Sequence, residues 1–142
     1  MPNYVRNVLV VVGKNSDKEK FMDFIGGKNG LVDFEKILPL PENSKKDLHD
    51  WKISNWGSTN AVDCIRNRED IISFSTSWTP PLQAVETLVQ KFPELDFRYY
   101  WANDDLGADC GMKLYEDGEL IEEIRPYHLV YNYCWDSIKL IA

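Results

Sequence analysis

The sequence predicts an α+β sandwich of the split βαβ type, an antiparallel sheet with two helices on one of its faces. Three observations carry that expectation: a nearly unbroken β-branched run at the start, a proline-initiated amphipathic segment in the middle, and pairs of short extended segments joined by polar turns. The chain has 142 residues, 44% of them hydrophobic, enough for one domain with a buried core over residues 1–142. The core is expected over about residues 3–124, and residues 125–142 form a C-terminal docking segment.

Residues 4–12 read YVRNVLVVV, and a β-branched run of this length that stops at Gly13 is a strand buried on both faces, hence central in the sheet. Ser16 and Glu19 have capping-box spacing, with Ser16 placed to accept from the Glu19 amide. Phe21, Phe24 and Ile25 follow at helical intervals up to Gly26-Gly27. Between Leu31 and Leu38, Val32 and Phe34 alternate with Asp33 and Glu35, the period of a strand with one wet face, until Pro39-Leu40-Pro41 interrupts it. Residues 39–61 are too polar and irregular for a single element and form a long loop. Within it SKKDLHDW is a candidate short helix, and Trp51 and Trp56 mark the loop as ordered.

Ala61 to Ile65 and Ile71 to Thr76 flank the polar turn Asn67-Arg68-Glu69-Asp70 and read as a hairpin. Thr79-Pro80-Pro81 starts the second helix, Thr79 as its cap, because proline in the first turn loses no hydrogen bond. Leu82, Val85, Leu88, Val89 and Phe92 line its apolar face and Pro93 closes it. Leu95 to Ala102 is a strand with Leu95, Phe97, Tyr99 and Trp101 on one face and Arg98 and Tyr100 on the other. Cys110 to Tyr115 and Leu120 to Ile124 form an extra hairpin about Glu116-Asp117-Gly118-Glu119, where Gly118 supplies a positive φ. The tail from Tyr127 is apolar enough to dock, as helix or as strand. This order is that of a ferredoxin-like sandwich, with Val8, Val10, Phe21, Phe34, Phe74, Val85, Leu88 and Phe97 in its core. The word names a fold only, since an iron–sulfur cluster needs about four suitably spaced cysteines.

With 23 acidic residues against 16 basic ones the net charge is -7, which sets aside a broad electropositive surface for duplex nucleic acid. No stretch approaches the roughly 20 apolar residues of a membrane helix, and the opening Met-Pro-Asn-Tyr-Val-Arg lacks the pattern of a signal peptide, so a cytoplasmic protein with no membrane partner is expected. Cys64, Cys110 and Cys134 are odd in number and widely spaced, with no CxxC pair, and are expected as reduced thiols. His49 and His128 lie far from them in sequence, so no metal and no cofactor is expected.

Three constellations bear on function. Asn55-Trp56-Gly57 together with Thr76-Ser77-Trp78-Thr79-Pro80-Pro81 sets two tryptophans beside hydroxyls and a helix start. They form either a stacking wall with amide donors for a base, a phosphate or a peptide, or a plug between the long loop and the helix. Asp104, Asp105 and Asp109, near Glu116 and Asp117, are either ligands for a hard cation or a solvated turn, and they lack the ligand order of a calcium loop. Cys110 or Cys64 with His128 has the residue types of a thiol nucleophile and its base, but nothing in the sequence brings them together. Gly26-Gly27-Lys28-Asn29-Gly30 is no phosphate loop, because it follows a helix and precedes an expected strand. No catalytic residue is assigned.

Asn55-Trp56-Gly57, the run from Phe74 through Trp78 to Pro81, Phe92-Pro93-Glu94-Leu95 and Asp109-Cys110-Gly111, in this order, resemble the YubB or Api92-like ferredoxin-like family. The first strand ending in glycine and the segment Leu38-Pro39-Leu40-Pro41 fit the same pattern, and the resemblance spans roughly residues 3 to 124. It implies the fold, an association with phages, plasmids and other mobile elements, and a largely unassigned biochemical role. It brings no catalytic residues. After Asn55-Trp56-Gly57 the family pattern has a second tryptophan where this chain has Ser58-Thr59-Asn60-Ala61, which removes one ring from a stacking wall.

The leading expectation is a non-enzymatic accessory protein of a phage or mobile element that binds a host or phage protein, an inhibitor being the special case that the acidic charge permits. Its binding residues are Asn55, Trp56, Gly57, Trp78, Thr79, Asp109, Cys110 and Gly111, with Trp56 and Trp78 approaching each other. A small-ligand or nucleotide-handling domain, enzymes included, with a pocket between the same residues is the alternative. A third is single-stranded RNA binding on the sheet face through Tyr99, Tyr100 and Trp101.

Overall fold

The molecule, a computed structural model, is described over residues 3–28, 30–42, 48–104, 109–124 and 129–136. Strand β1 (Tyr4–Val12) lies inside a sheet of order β2-β3-β1-β4-β5-β6, with β2 Val62–Asn67, β3 Ile71–Ser77, β4 Asp96–Asn103, β5 Cys110–Glu116 and β6 Glu119–Ile124. Every neighbouring pair is antiparallel. Helices α1 (Asn15–Ile25) and α4 (Leu82–Lys91) connect β1 to the β2-β3 hairpin and β3 to β4, so β2-β3-β1-β4 is the split βαβ core and β5-β6 the added hairpin.

The period of two in β1 distributes its side chains between two cores. Val5, Leu9 and Val11 join Phe21 and Ile25 of α1 and Val85 and Leu88 of α4 in the main core. Val8 faces the other way, into a smaller cluster with Ala102, Cys110 and Cys134, the last on α5 (Leu129–Asp136). Helix α5 thus lies on the sheet face that α1 and α4 leave open, while residues 125–128 and 137–142 of the expected docking segment lie outside the described residues. Of the expected core residues all are buried except Val10, which is half-buried against that smaller cluster.

Four local expectations change. Residues 31–38 do not form a strand: Asp33 Oδ1 accepts from the Glu35 amide at 3.1 Å and caps the single helical turn α2 (Phe34–Ile37). Phe34 and Ile37, three apart, both turn into the core, and Val32 is buried beside them, so what reads as alternation is the start of a helical period. Ser16 does not cap α1, because the helix begins at Asn15 and its N-cap is Lys14 with no side-chain bond. Thr79 does not cap α4, whose N-cap is Pro81. In the long loop the helix is α3 (His49–Asn55), displaced toward the C-terminus from SKKDLHDW, of which residues 44–47 lie outside the described residues.

Two polar residues of β1 are buried as deeply as its valines. Asn7 lies on the helix side and donates to Thr76 Oγ1 at 3.2 Å. Arg6, on the α5 side, donates to Ser75 Oγ at 3.0 Å, Ser73 Oγ at 2.8 Å and the Asp63 carbonyl at 2.8 Å. A bulge in β2, with Asp63 at φ 50°, turns that carbonyl inward. Burial lowers the guanidinium pKa and the Asp63 charge partly restores it.

Candidate functional site

All the candidate residues lie at one end of the sheet, where β3 and β4 finish and β1, β2 and β5 begin. The loop after α3 is tied to this end through its backbone. Gly57, at φ 91°, passes so close to the start of α4 that a Cβ would meet the Leu82 nitrogen at 2.9 Å and collide with Gln83 Oε1. That approach lets the Trp56 carbonyl accept from the Ala84 amide at 3.0 Å, while Thr79 Oγ1 donates to the Gly57 carbonyl at 2.7 Å and Ser58 Oγ to the Ser77 carbonyl at 3.1 Å. The first turn of α4 is therefore engaged by the protein's own carbonyl, and the expected amide donors do not all face outward.

The two tryptophans part company. Trp56 is 1% exposed, its ring edge-on to Phe34 and Trp51 and its Nε1 donating to the Leu38 carbonyl at 2.9 Å. It is the plug that holds the long loop against the core. Trp78 is 60% exposed and sits at φ 70°, in the left-handed region, with its amide donating to the Asn3 carbonyl at 2.7 Å. Segments 55–58 and 76–79 come together, but the rings form no common wall. Asn55 is half-buried and donates to the Trp51 carbonyl, and Thr79 is exposed.

The Asp109-Cys110-Gly111 segment stands apart. Its strand β5 is separated from β3 by β1 and β4, three strand spacings or roughly 14 Å. Asp109 is exposed and accepts from Trp101 Nε1 at 3.0 Å. Gly111 packs so tightly that an added Cβ would meet Trp101 Cζ2 at 2.8 Å, and Cys110 points to the opposite face, buried under α5. A pocket shared by Trp56, Trp78 and this segment is not formed.

The RNA platform is also corrected. Tyr99 and Trp101 face the helices and are fully buried, since alternate residues of β4 turn to opposite faces. Only Tyr100 lies on the other face, where its ring meets Tyr133 of α5 at 4.8 Å. Burial pushes the Cys64 and Cys134 thiols up, away from the thiolate a nucleophile needs. His128 and Asp105 lie outside the described residues, so the thiol and histidine pairing and part of the acidic turn do as well. Among the described residues no three His, Cys, Asp or Glu side chains converge as a metal site requires.

A split βαβ core with both connecting helices on one face is a ferredoxin-like domain. The model of the family described as ferredoxin-like domain in Api92-like protein matches residues 51–128, and the chain belongs to that family. Among solved structures the chain is similar to the crystal structure of Api92 from Yersinia pseudotuberculosis, with 16% identity and a TM-score of 0.49 over 65% of this chain and 38% of that one. It thus spans well under half of that relative's length. No curated protein matches.

Proposed function

We propose that the chain is a non-enzymatic accessory protein that binds a host or phage protein through the loop surface centred on Trp78, in keeping with the mobile-element association that the family resemblance implies. The supporting observation is Trp78 itself, 60% exposed and at φ 70°. The left-handed conformation costs an L-residue about 1–2 kcal/mol, and a mostly exposed ring recovers little of that by packing within the chain. An aromatic held outward on a strained backbone has the form of an interface anchor, the residue type that dominates binding at the centre of interfaces. Thr79, whose Oγ1 donates to the Gly57 carbonyl, and Ser58, whose Oγ donates to the Ser77 carbonyl, tie the loop after α3 to the segment that carries it, and Asn55 closes α3 just before that loop. Trp56, Cys110 and Gly111 belong to the interior and take no part in the contact.

The test is affinity purification of the tagged chain and its Trp78→Glu variant from the native cells, with circular dichroism on both. The reading expects one stoichiometric protein with the parent chain and its loss with a folded variant. A folded Trp78→Glu chain that retains the same protein sinks it.

A further inference from the structure

At the Trp78 end of the sheet the residues just outside the strands form a row. Trp78 follows β3, Asn3 precedes β1, Asp104 follows β4 and Asp109 precedes β5. Strand spacing puts Asp104 about 10 Å from Trp78 and Asp109 about 5 Å further on. Both carboxylates are exposed, and one oxygen of each is fixed: Asp104 Oδ2 accepts from the Tyr4 amide at 3.2 Å and Asp109 Oδ1 from Trp101 Nε1 at 3.0 Å.

The described cations close to this end are otherwise engaged. Lys52 donates to Asn60 and lies over the Trp56 ring, Lys113 faces Glu123 at 3.9 Å, and Arg6 is buried. The opposite end differs, since there Lys14 follows β1 and Arg68 sits in the β2-β3 turn among the acidic residues. In a chain of net charge -7, the Trp78 end thus combines an exposed indole with two carboxylates that form no ion pair with any described residue.

We infer that the partner presents an extended arginine-rich segment that lies across this row, one guanidinium stacked on Trp78 and others on Asp104 and Asp109. This rests on the reading of Trp78 as an anchor and adds the chemistry of what it meets. A guanidinium suits both halves of the row, because it stacks on an indole face and bonds a carboxylate with its fork of donors. An acidic segment, or a second copy of this acidic chain, would meet like charge there.

The experiment titrates the 15N-labelled protein with a synthetic octapeptide of alternating Arg and Gly, and separately with one of alternating Glu and Gly, following the indole N–H signals. The variants are Trp78→Leu and the double variant Asp104→Asn with Asp109→Asn, which keeps both accepting oxygens and removes both charges. The Arg peptide is expected to shift the Trp78 signal and the Glu peptide to leave it in place. Binding should weaken roughly two- to tenfold in the double variant and fall further with added salt. Equal binding of the two peptides, or no effect of the double variant, overturns the basic partner; a native protein still lost only through Trp78→Glu would then leave the anchor reading standing. Binding of the Arg peptide that persists in Trp78→Leu overturns the row as the site.

Discussion

Tyr99 Oη donates to Asn7 Oδ1 at 2.6 Å, a bond between β4 and β1 with both residues fully buried. Asn7 spends its own donors on the Val5 and Phe74 carbonyls and on Thr76 Oγ1, so it links the strands on either side of β1. The polar network sits beneath the helices, where an unmet acceptor has no water to turn to.

Tyr99→Phe removes the donor and leaves the Asn7 oxygen unmatched. The expected loss is about 1–3 kcal/mol, read from the urea midpoint. Asn7→Ala and Tyr99→Phe should be strongly non-additive in combination. Additive losses would show that the two side chains stabilise the fold independently.

Trp78→Asn separates backbone strain from ring packing. Asparagine tolerates the left-handed region far better than tryptophan, and the mostly exposed ring gives up little burial. The variant is expected to unfold at a urea concentration equal to or above that of the parent, with a gain of up to about 1 kcal/mol. A loss of more than about 1 kcal/mol would mean that the indole packs within the chain, and the interface reading would lose its support.

The strands and the two long helices were legible because each writes its period over enough residues: β1 as a β-branched run, β4 as alternation ending in Trp101, and α4 as a stripe behind two prolines. Residues 31–38 misled because the four residues of α2 complete barely one helical turn, so the alternation of Val32 to Glu35 outweighed the helix-start signal of Asp33, which caps the turn by accepting from the Glu35 amide. At the site the motif residues were found but their roles were not. Trp56 and Trp78 look alike in sequence, each beside a turn, and only the packing of Phe34, Trp51 and the Leu38 carbonyl makes one of them core. Arg6 and Asn7 did leave a signal, two polar residues inside a β-branched run, although their partners lie some 60 to 90 residues away.

Gly111 fills a place where no side chain fits. In Gly111→Ala the new methyl would stand 2.7 Å from the Ile124 carbonyl and 2.8 Å from Trp101 Cζ2, so β5, β6 and the indole would have to separate. Overpacking of this kind is expected to cost about 1–3 kcal/mol. Faster hydrogen exchange at β6 amides should accompany it, the edge strand being the element free to move. Unchanged exchange with unchanged stability would mean that the sheet end yields at no cost.

Alkaline pH should loosen the fold through its thiols. Burial raises Cys134 and Cys64 above the ordinary value of 9.0, and in the unfolded chain both titrate near that value. Above about pH 9 the unfolded state releases protons that the native state retains, so fewer protons are bound on unfolding and stability falls as pH rises. The stabilisation is complete below the unfolded pKa and disappears as pH climbs through the raised native values. Tyr99 and Tyr133, also pushed up by burial, extend the decline above about pH 10. The lowered Arg6 pKa acts in the opposite direction, but near the far higher ordinary value of 12.5. Urea midpoints are therefore expected to stay level from about pH 7 to 8.5 and to drop by about pH 10. Cys134→Ala should lower the midpoint at every pH, through the lost contacts with Val8 and Ala102, yet give a shallower decline. A level profile through pH 10 in the parent chain, or an equally steep one in Cys134→Ala, would place the control of alkaline stability elsewhere.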